Sequence, residues 1–498
     1  MVALTLIACA FVTAADRIAR LDGDGDGYVA DEVGGDDCDD TDPAVHPDAG
    51  EVCDADGIDE DCDGVSACGL EDAPAIRGAG VGRAAAYAGE SGTGAVIAVG
   101  IVSEDRVALV SFAGSNEDVN VATSAMRAEA TGDGFGATVV SADFDDDGLL
   151  DVAVGAPYFD NVSVEGTDHG AVYSILAPFP SGDASLGFRD WGMEPNAHTG
   201  AALALGTQTI DGRERDVILM GETGWEHECG SVTLDNDPFF ENDDNSGVAD
   251  RHGARFRTLC ALDAATDDRL GAALALGDTD GDGNDDLLMG APGSDLARQD
   301  AGAAYLWVGA ASGLDNNLDE DYNSKPLVGT LEGDAAGSAV AMLDVTGDGH
   351  ADLIVAAALA DDGGVDGGAV YVADGAMIAG MNALVDGPAR LGEMAVVRGP
   401  PSVHALATPG DVDGDGHDDL VLLTNDGAWL ARAPAVSGTY VVEDIADVVY
   451  CLSAGCAADG FVTGAADLDH DGALDFLVGL PGSDGYGDIA ILSDAHFP

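Results

Sequence analysis

The chain of 498 residues carries 18 Lys+Arg against 93 Asp+Glu, a formal net charge of −75. That balance excludes a nucleic acid or an anionic membrane surface as a partner held by basic contacts, because phosphate recognition needs Lys and Arg. The 46% hydrophobic content can build a large core, which excludes a disordered chain, and 71 glycines with only 5% aromatics point to tight turns and small-residue packing rather than helical bundles.

Residues 1–15 carry no charge and are mostly apolar, and they are too short to span a bilayer comfortably. They read as an export signal with the small residues Thr13-Ala14-Ala15 near the cleavage point, although no basic residues precede the apolar run. A buried N-terminal strand is the alternative. Leu6-Ile7-Ala8-Cys9 also has the form of a lipoprotein cleavage box, but a lipid anchor at Cys9 would leave only eight residues of signal. No later stretch reaches ~18 continuous apolar residues, so no membrane span is expected. Without Cys9, eight cysteines are left: Cys38, Cys53, Cys62 and Cys68 close together, then the local pairs Cys229/Cys260 and Cys451/Cys456. They show no CxxC zinc spacing, and an even number suits disulfides in an oxidising compartment.

Residues 16–70 form a small, irregular, acidic and cysteine-rich segment. Asp22, Asp24 and Asp26 make a DxDxDG loop, followed by Asp36-Asp-Cys38-Asp-Asp-Thr41-Asp-Pro43, Val45-His46-Pro47, Glu51-Val-Cys53 and Asp61-Cys62-Asp-Gly64. The order of these motifs resembles the secreted metal-binding motif of the MopE copper-protein family. The donors here are carboxylates and carbonyls, which favour Ca²⁺, whereas copper calls for His or soft sulfur. His46 is the only histidine of the segment and no Trp precedes Trp191. The expectation is Ca²⁺ plus disulfides, against the plainer reading of an acidic stalk that spaces the rest of the chain from a surface.

From about residue 71 onward the chain repeats itself. Five segments share one logic: Asp143, Asp145, Asp147 and Asp151; Asp278, Asp280, Asp282, Asn284 and Asp286; Asp344, Thr346, Asp348, His350 and Asp352; Asp411, Asp413, Asp415, His417 and Asp419; Asp467, Asp469, Asp471 and Asp475. The last four begin at steps of 66, 67 and 56 residues, and the longer interval before Asp278 holds a degenerate copy around Gly200–Gly221. Another degraded copy, with Ala95–Gly100 and Val107–Phe112, precedes Asp143. That makes seven units. Each acidic loop lies between short apolar runs bounded by Gly and Asp, which read as buried strands, and several units add a further strand at Gly170-Ala-Val-Tyr173, Gly302-Ala-Ala-Tyr305 and Gly368-Ala-Val-Tyr371. A closed number of such units predicts an all-β, seven-bladed β-propeller over residues 71–498, with an open solenoid as the alternative.

Phe135-Gly136 with Gly155-Ala156-Pro157, Gly290-Ala291-Pro292 and Gly479-Leu480-Pro481 resemble FG-GAP repeats, the seven-bladed propeller at the N-terminus of integrin α chains. Several units lack the Phe, and the fifth has Ala356-Ala357-Ala358 in place of Gly-Ala-Pro. The resemblance implies a secreted or surface binding module whose calcium loops lie opposite the ligand face.

The loops themselves present carboxylates at positions 1, 3 and 5, glycine at 6, a carbonyl at 7 and a further carboxylate at 9. Hard Ca²⁺ favours such a multi-oxygen shell, and clustered carboxylates without a cation repel each other. An EF-hand would place Glu at position 12, where Met289 follows Asp278. About five propeller Ca²⁺ sites are expected, with the Thr346 loop weaker and none in the third unit, where Thr207 and Thr209 take the early positions. His350 and His417 are expected to lend carbonyls or face water.

No GxSxG, HExxH or P-loop occurs, and His227 between Glu226 and Glu228 reads as a surface histidine. The expected function is non-catalytic binding or adhesion to an extracellular protein or glycan, with the long segment Asp235–Arg257 (Phe239, Phe240, Arg251, Arg255, Arg257) as candidate ligand loop. The rival classes are a polysaccharide lyase or other lytic enzyme on a calcium-stabilised propeller, and a structural spacer.

Overall fold

The computed structural model describes residues 28–29, 38–39, 41, 43, 45, 74–91, 94–112, 117–119, 124–128, 130–145, 147–161, 166–179, 182–183, 188–192, 195–210, 213–224, 230–235, 255–257, 267–309, 324–361, 368–381, 388–398, 403, 405–412, 416–424, 427–432, 439–441, 446–450, 460–464, 467–468, 474–481 and 486–493. The expected signal, Asp22, Asp24 and Asp26, and most of the cysteine-rich segment lie outside them. Cys38 is disulfide-bonded, and the other cysteines also fall outside the described residues.

Seven sheets follow one another along the chain, each a meander of four antiparallel strands. Blade 1 consists of Ala85–Ser91, Gly94–Ile101, Arg106–Phe112 and Ser124–Arg127. Blade 2 has Thr138–Ala142, Asp151–Ala156, Ala171–Ile175 and Phe188–Trp191, and blade 3 has Leu203–Ile210, Arg213–Glu222, Ser231–Asp235 and Arg255–Arg257. Blade 4 comprises Ala273–Gly277, Asp286–Ala291, Ala303–Trp307 and Ser324–Val328; blade 5 comprises Ala336–Leu343, Asp352–Ala357, Ala369–Ala373 and Ala395–Arg398. Blade 6 is built from Ala405–Gly410, Asp419–Leu423, Gly427–Ala431 and Ala446–Tyr450. Blade 7 joins Phe461–Gly464, Asp475–Pro481 and Tyr486–Ser493 to the N-terminal strand Ala75–Ala79, which pairs antiparallel with Tyr486–Ser493. The ring is therefore closed by strands from the two ends of the propeller sequence in one sheet. The seven first strands surround an axial cavity of about 470 Å³ lined by Tyr87, Val140, Leu205, Leu276, Met342, Leu406 and Thr463 among others.

Burial on both faces explains why the second and third strands read as unbroken apolar runs: Asp151–Ala156, Asp286–Ala291, Asp352–Ala357, Ala171–Ile175 and Ala369–Ala373 are buried throughout. The hydrophobic core is correspondingly divided among the seams between neighbouring blades. Leu288, Leu306 and Leu327 of blade 4 pack with Val340, Leu353 and Tyr371 of blade 5, and each of the seven junctions has such a cluster. In the junction between blades 1 and 2, Phe135 stands edge-on to buried Tyr173, with ring centroids 5.2 Å apart.

The glycines set how closely the blades approach. Gly136, Gly200, Gly271 and Gly337 have φ of +95°, +88°, +83° and +84°, a region that penalises any Cβ. In three of them the N–H bonds the glycine at the end of the second strand of the same blade: Gly136 to Gly155, Gly200 to Gly221, Gly271 to Gly290. Their carbonyls press on the corresponding glycine of the preceding blade, so a Cβ on Gly100, Gly155, Gly221 or Gly290 would overlap the oxygen of Gly136, Gly200, Gly271 or Gly337.

Outer edges are covered by a recurrent device. The connection between the third and fourth strands of one blade lays a short parallel strand on the outer strand of the preceding blade: Glu117–Asp118 on Ile76–Arg77, Gly182–Asp183 on Met126–Arg127, Ala389–Arg390 on Leu327–Val328 and Thr439–Val441 on Val396–Arg398. Pairing these edges removes templates for aggregation and straps adjacent blades together.

Gly290→Ala keeps an ordinary strand conformation but drives a methyl into the Gly337 carbonyl. It is expected to cost ~1–3 kcal/mol, read as a lowered unfolding midpoint in urea, whereas Gly333→Ala, with no atom near its Cβ, meets only its positive φ.

Candidate metal centres in the first hairpin of the blades

The Asp loops connect the first and second strands of blades 2, 4, 5, 6 and 7, and their internal bonds follow one plan. The position-1 carboxylate gathers the N–H groups of positions 5 and 6: Asp143 accepts from Asp147 at 3.0 Å and Gly148 at 2.8 Å, Asp278 from Asp282 at 3.2 Å and Gly283 at 2.8 Å, Asp344 from Asp348 at 3.1 Å and Gly349 at 2.7 Å. Asp411 accepts from Gly416 at 2.8 Å. The position-6 glycines turn the chain at φ of +87° (Gly148), +85° (Gly283), +87° (Gly349) and +93° (Gly416). The position-5 carboxylate then accepts the N–H of position 7, from Leu149, Asn284 and His350 at 2.8–2.9 Å.

Position 9 begins the second strand and is buried in all five blades, with 1% exposure for Asp151, Asp286 and Asp352, 0% for Asp419 and 2% for Asp475. One oxygen accepts an N–H from the start of the loop: Phe144 to Asp151 at 3.0 Å, Thr279 to Asp286 at 3.0 Å, Thr346 to Asp352 at 3.1 Å, Val412 to Asp419 at 2.8 Å and Leu468 to Asp475 at 2.6 Å. The Thr279 hydroxyl also donates to Asp286. The other oxygen reaches the end of the third strand, taking the N–H of Ala177 at 2.7 Å, Gly309 at 2.8 Å and Gly375 at 3.1 Å in blades 2, 4 and 5. This carboxylate thus ties three strands at one end of the blade, a role beyond the fourth ligand expected from the spacing.

Among the described residues, two loops bring three carboxylates within 4.8 Å of one another: Asp143, Asp145 and Asp151 in blade 2, and Asp278, Asp280 and Asp282 in blade 4. Asp145 Oδ1 is buried without a hydrogen-bond partner, which fits a cation as the missing contact. In the blade-5 loop the Thr346 hydroxyl donates to Asp344 at 3.3 Å, and no such cluster forms there. Asp413, Asp415, Asp469 and Asp471 lie outside the described residues. An all-oxygen donor set of this kind suits a hard divalent ion. In the third unit the β-ladder runs on through Thr207↔Asp216 to Ile210↔Arg213, so strand pairing takes the place of an acidic loop.

The electrostatics agree with that fit. Burial raises the Asp286 and Asp352 carboxyls from 3.8 to about 6, opposed by the hydrogen bonds they accept. Asp151 is raised by burial and further by Asp145 and Asp147. Asp280 is raised by burial and by Asp282 and Asp278, with His350 acting against them. The two histidines do not simply face water: the His350 ring lies over Gly281 of the preceding blade, and the His417 ring over Gly347.

Two features were not anticipated. Asp133, Asp268 and Asp334 are buried just before the FG position of blades 2, 4 and 5, and their carbonyls accept the N–H groups of Tyr158, Gly293 and Leu359. The recurring Asp two residues before Phe135, Leu270 and Ala336 is the signal that could have found them. The candidate ligand loop also needs correction. Asp235 ends the third strand of blade 3 and Arg255–Arg257 is its fourth. In an antiparallel meander the third-to-fourth connection emerges on the same face as the first-to-second one, so both ends of that segment lie on the Asp-loop face. Phe239, Phe240 and Arg251, like His227, are outside the described residues.

Because the native state of the cation-free protein favours protonated Asp286 and Asp352, the unfolded chain sheds these protons first as pH rises. Stability is therefore greatest below about 4 and falls until about 6 for these groups, in the same direction as relief of self-repulsion among the acids. Thermal unfolding in chelator across this window should show the midpoint declining with pH, and a flat or rising profile would contradict the assignment.

FG-GAP repeat models match residues 135–175, 270–307 and 336–373, which are the first three strands of blades 2, 4 and 5 with their Asp loops. The MopE-type metal-binding motif matches residues 37–67. Integrin alpha-V of Gallus gallus is 26% identical over 294 residues, covering 57% of this chain and 27% of the integrin. Integrin alpha pat-2 of Caenorhabditis briggsae is 28% identical over 232 residues, covering 43% and 18%. The matches thus span less than a third of either integrin chain. A crystal structure of BBS1N in complex with ARL6DN aligns with a TM-score of 0.46 and 11% identity, over 85% of this chain and 97% of that one. The chain thus carries FG-GAP repeats in a seven-bladed β-propeller similar to part of integrin α chains, and a MopE-type metal-binding motif lies ahead of it in the sequence.

Proposed function

We propose that this chain is a secreted or cell-surface, calcium-binding β-propeller that acts as a non-catalytic binding or adhesion module for an extracellular protein or glycan. The observation that carries the reading is the pair of three-carboxylate clusters in the FG-GAP loops, one with a buried oxygen lacking any hydrogen-bond donor. The ions would sit at positions 1, 3, 5 and 7 of the loops, with position 9 close by, and would offset the repulsion among these acids. Calcium then makes the blade ends rigid and leaves binding to the remaining loops. Similarity to integrin α chains supports the binding role. The Cys38 disulfide supports an oxidising, extracytoplasmic setting. Among the described residues no helix is long and apolar enough to cross a membrane. Residues 16–70 are read as a separate acidic segment that takes Ca²⁺ rather than copper, ahead of a propeller domain extending over residues 71–498.

Extracellular calcium modules bind at ~10⁻⁴–10⁻³ M, so free calcium at one to ten times the dissociation constant stabilises the fold by ~0.4–1.4 kcal/mol per site. Millimolar calcium should raise the unfolding temperature over that in chelator, and Asp278→Ala should remove one site and part of the shift. An unchanged midpoint at low salt would refute the calcium reading. For the binding role, calcium-dependent retention on immobilised glycans or extracellular matrix proteins is expected, without unsaturated products from acidic polysaccharides; turnover would identify a lyase instead.

A further inference from the structure

Three consecutive junctions of the propeller carry the same contact between the first hairpins of adjacent blades. The position-8 residue donates its N–H to the position-1 carbonyl of the preceding blade: Asp285 to Thr207 at 3.3 Å, Ala351 to Asp278 at 2.8 Å and Asp418 to Asp344 at 3.1 Å. In the last of these, Asp418 Oδ2 also accepts the Asp344 N–H at 3.1 Å. Among the described residues, only the middle junction bears on a loop with three converging carboxylates, Asp278, Asp280 and Asp282 of blade 4. There the blade-5 hairpin is pressed onto the acidic loop at three points. The Ala351 N–H meets the Asp278 carbonyl, the Ala351 Cβ lies against Gly277, and the His350 imidazole stands over Gly281, which separates Asp280 from Asp282. A Cβ on Gly281 would come within 2.6 Å of the imidazole Cε1, so the absence of a side chain there is what lets the imidazole approach.

The imidazole is held in place but not satisfied. The backbone N–H of His350 is bound by Asp348 at 2.9 Å, whereas the ring Nδ1 is buried with no hydrogen-bond partner among the described residues. The imidazole is close enough to favour the charged form of Asp280. A nitrogen lone pair finds no donor in ionised carboxylates, and a divalent ion would satisfy both. We propose that His350 is a metal ligand supplied across the blade boundary: its imidazole joins Asp278, Asp280 and Asp282 around one ion, which makes the blade-4 loop a mixed nitrogen–oxygen site for a divalent transition ion such as zinc. The proposal rests on the reading of this loop as a cation site and names the class of ion. Imidazole suits zinc and its transition-metal neighbours, whereas calcium is held by oxygen. Without such an ion the three carboxylates still admit Ca²⁺. The cluster of Asp143, Asp145 and Asp151 in blade 2 is the internal contrast. The hairpin that follows it, residues 203–222 of blade 3, continues as paired strand and contains no histidine, so the blade-2 donors are all oxygen.

Zinc titration of the full chain in millimolar Ca²⁺, followed by calorimetry and by the side-chain nitrogen resonances of its histidines, tests this. Zinc should shift the His350 resonance, identified by its absence from the His350→Ala spectrum. Asp278→Ala should abolish that shift, and Asp143→Ala should leave it. His350→Ala should lose about 10–100-fold in zinc affinity at this site, no less than the loss of a group that merely supports a metal ligand costs. In the absence of zinc it should bind Ca²⁺ as the wild type does. The shift is read in the wild-type protein, so a poorly folded variant cannot imitate it. The proposal is overturned if zinc leaves the His350 resonance in place, if Asp278→Ala keeps the shift, or if His350→Ala takes up zinc like the wild type. Asp278→Ala matching the wild type in uptake of both ions would instead overturn the cation reading of the loop, and this proposal with it.

Discussion

Backbone pressed against backbone at the blade boundaries is the constraint on which the rest of this structure depends. The carbonyl of a left-handed glycine that opens one blade abuts a glycine that ends the second strand of the blade before it, and any Cβ at either place is excluded by space or by φ. Close approach of the sheets then leaves room mainly for Ala, Val and Leu in the seams, with Tyr173 and Tyr371 among the few large side chains fully buried. High glycine and low aromatic content thus have one cause. The sheets are too near each other for bulk.

The acidic loops are built on that frame and share its labour. Each position-9 aspartate is buried at the start of a strand and satisfied by backbone N–H groups, so it shapes the hairpin whether or not an ion is present. Three carboxylates crowd together at positions 1, 3 and 9 in blade 2 and at positions 1, 3 and 5 in blade 4, which is tolerable electrostatically only with a cation or with protons. The same loops touch their neighbours through positions 7 and 8. A feature that looks local in sequence is therefore part of the ring.

Blade 3 departs from the pattern in several places at once. Its first hairpin continues as paired strand where the other units have acid, and Thr199 and Glu222 replace the Phe and Ala of the FG and GAP signatures. Glu222 is fully buried, accepting from the Thr199 and Ser231 hydroxyls at 3.1 and 2.7 Å. Among the described residues, the seam it shares with blade 2 has the smallest apolar cluster, Ala153, Val172, Ile218 and Met220. A polar, hydrogen-bonded contact there takes over part of what apolar packing does elsewhere in the ring.

Much of this was legible in one dimension because a repeat displays its rules several times. The recurrence of Asp-x-Asp-x-Asp-Gly between apolar runs determined the strand-loop-strand unit, the number of units and the oxygen-donor character of the loops, since each follows from local spacing. Sequence alone also marked the third unit as lacking the acidic set. What it could not decide were relations between units, because these join residues far apart in the chain through backbone atoms that every residue possesses. Closure of the last blade by Ala75–Ala79, the straps on outer edges, the grip of Asp418 on Asp344 and the emergence of the Asp235–Arg257 segment on the Asp-loop face all depend on which strands become neighbours in the ring. That neighbourhood is set by tertiary packing.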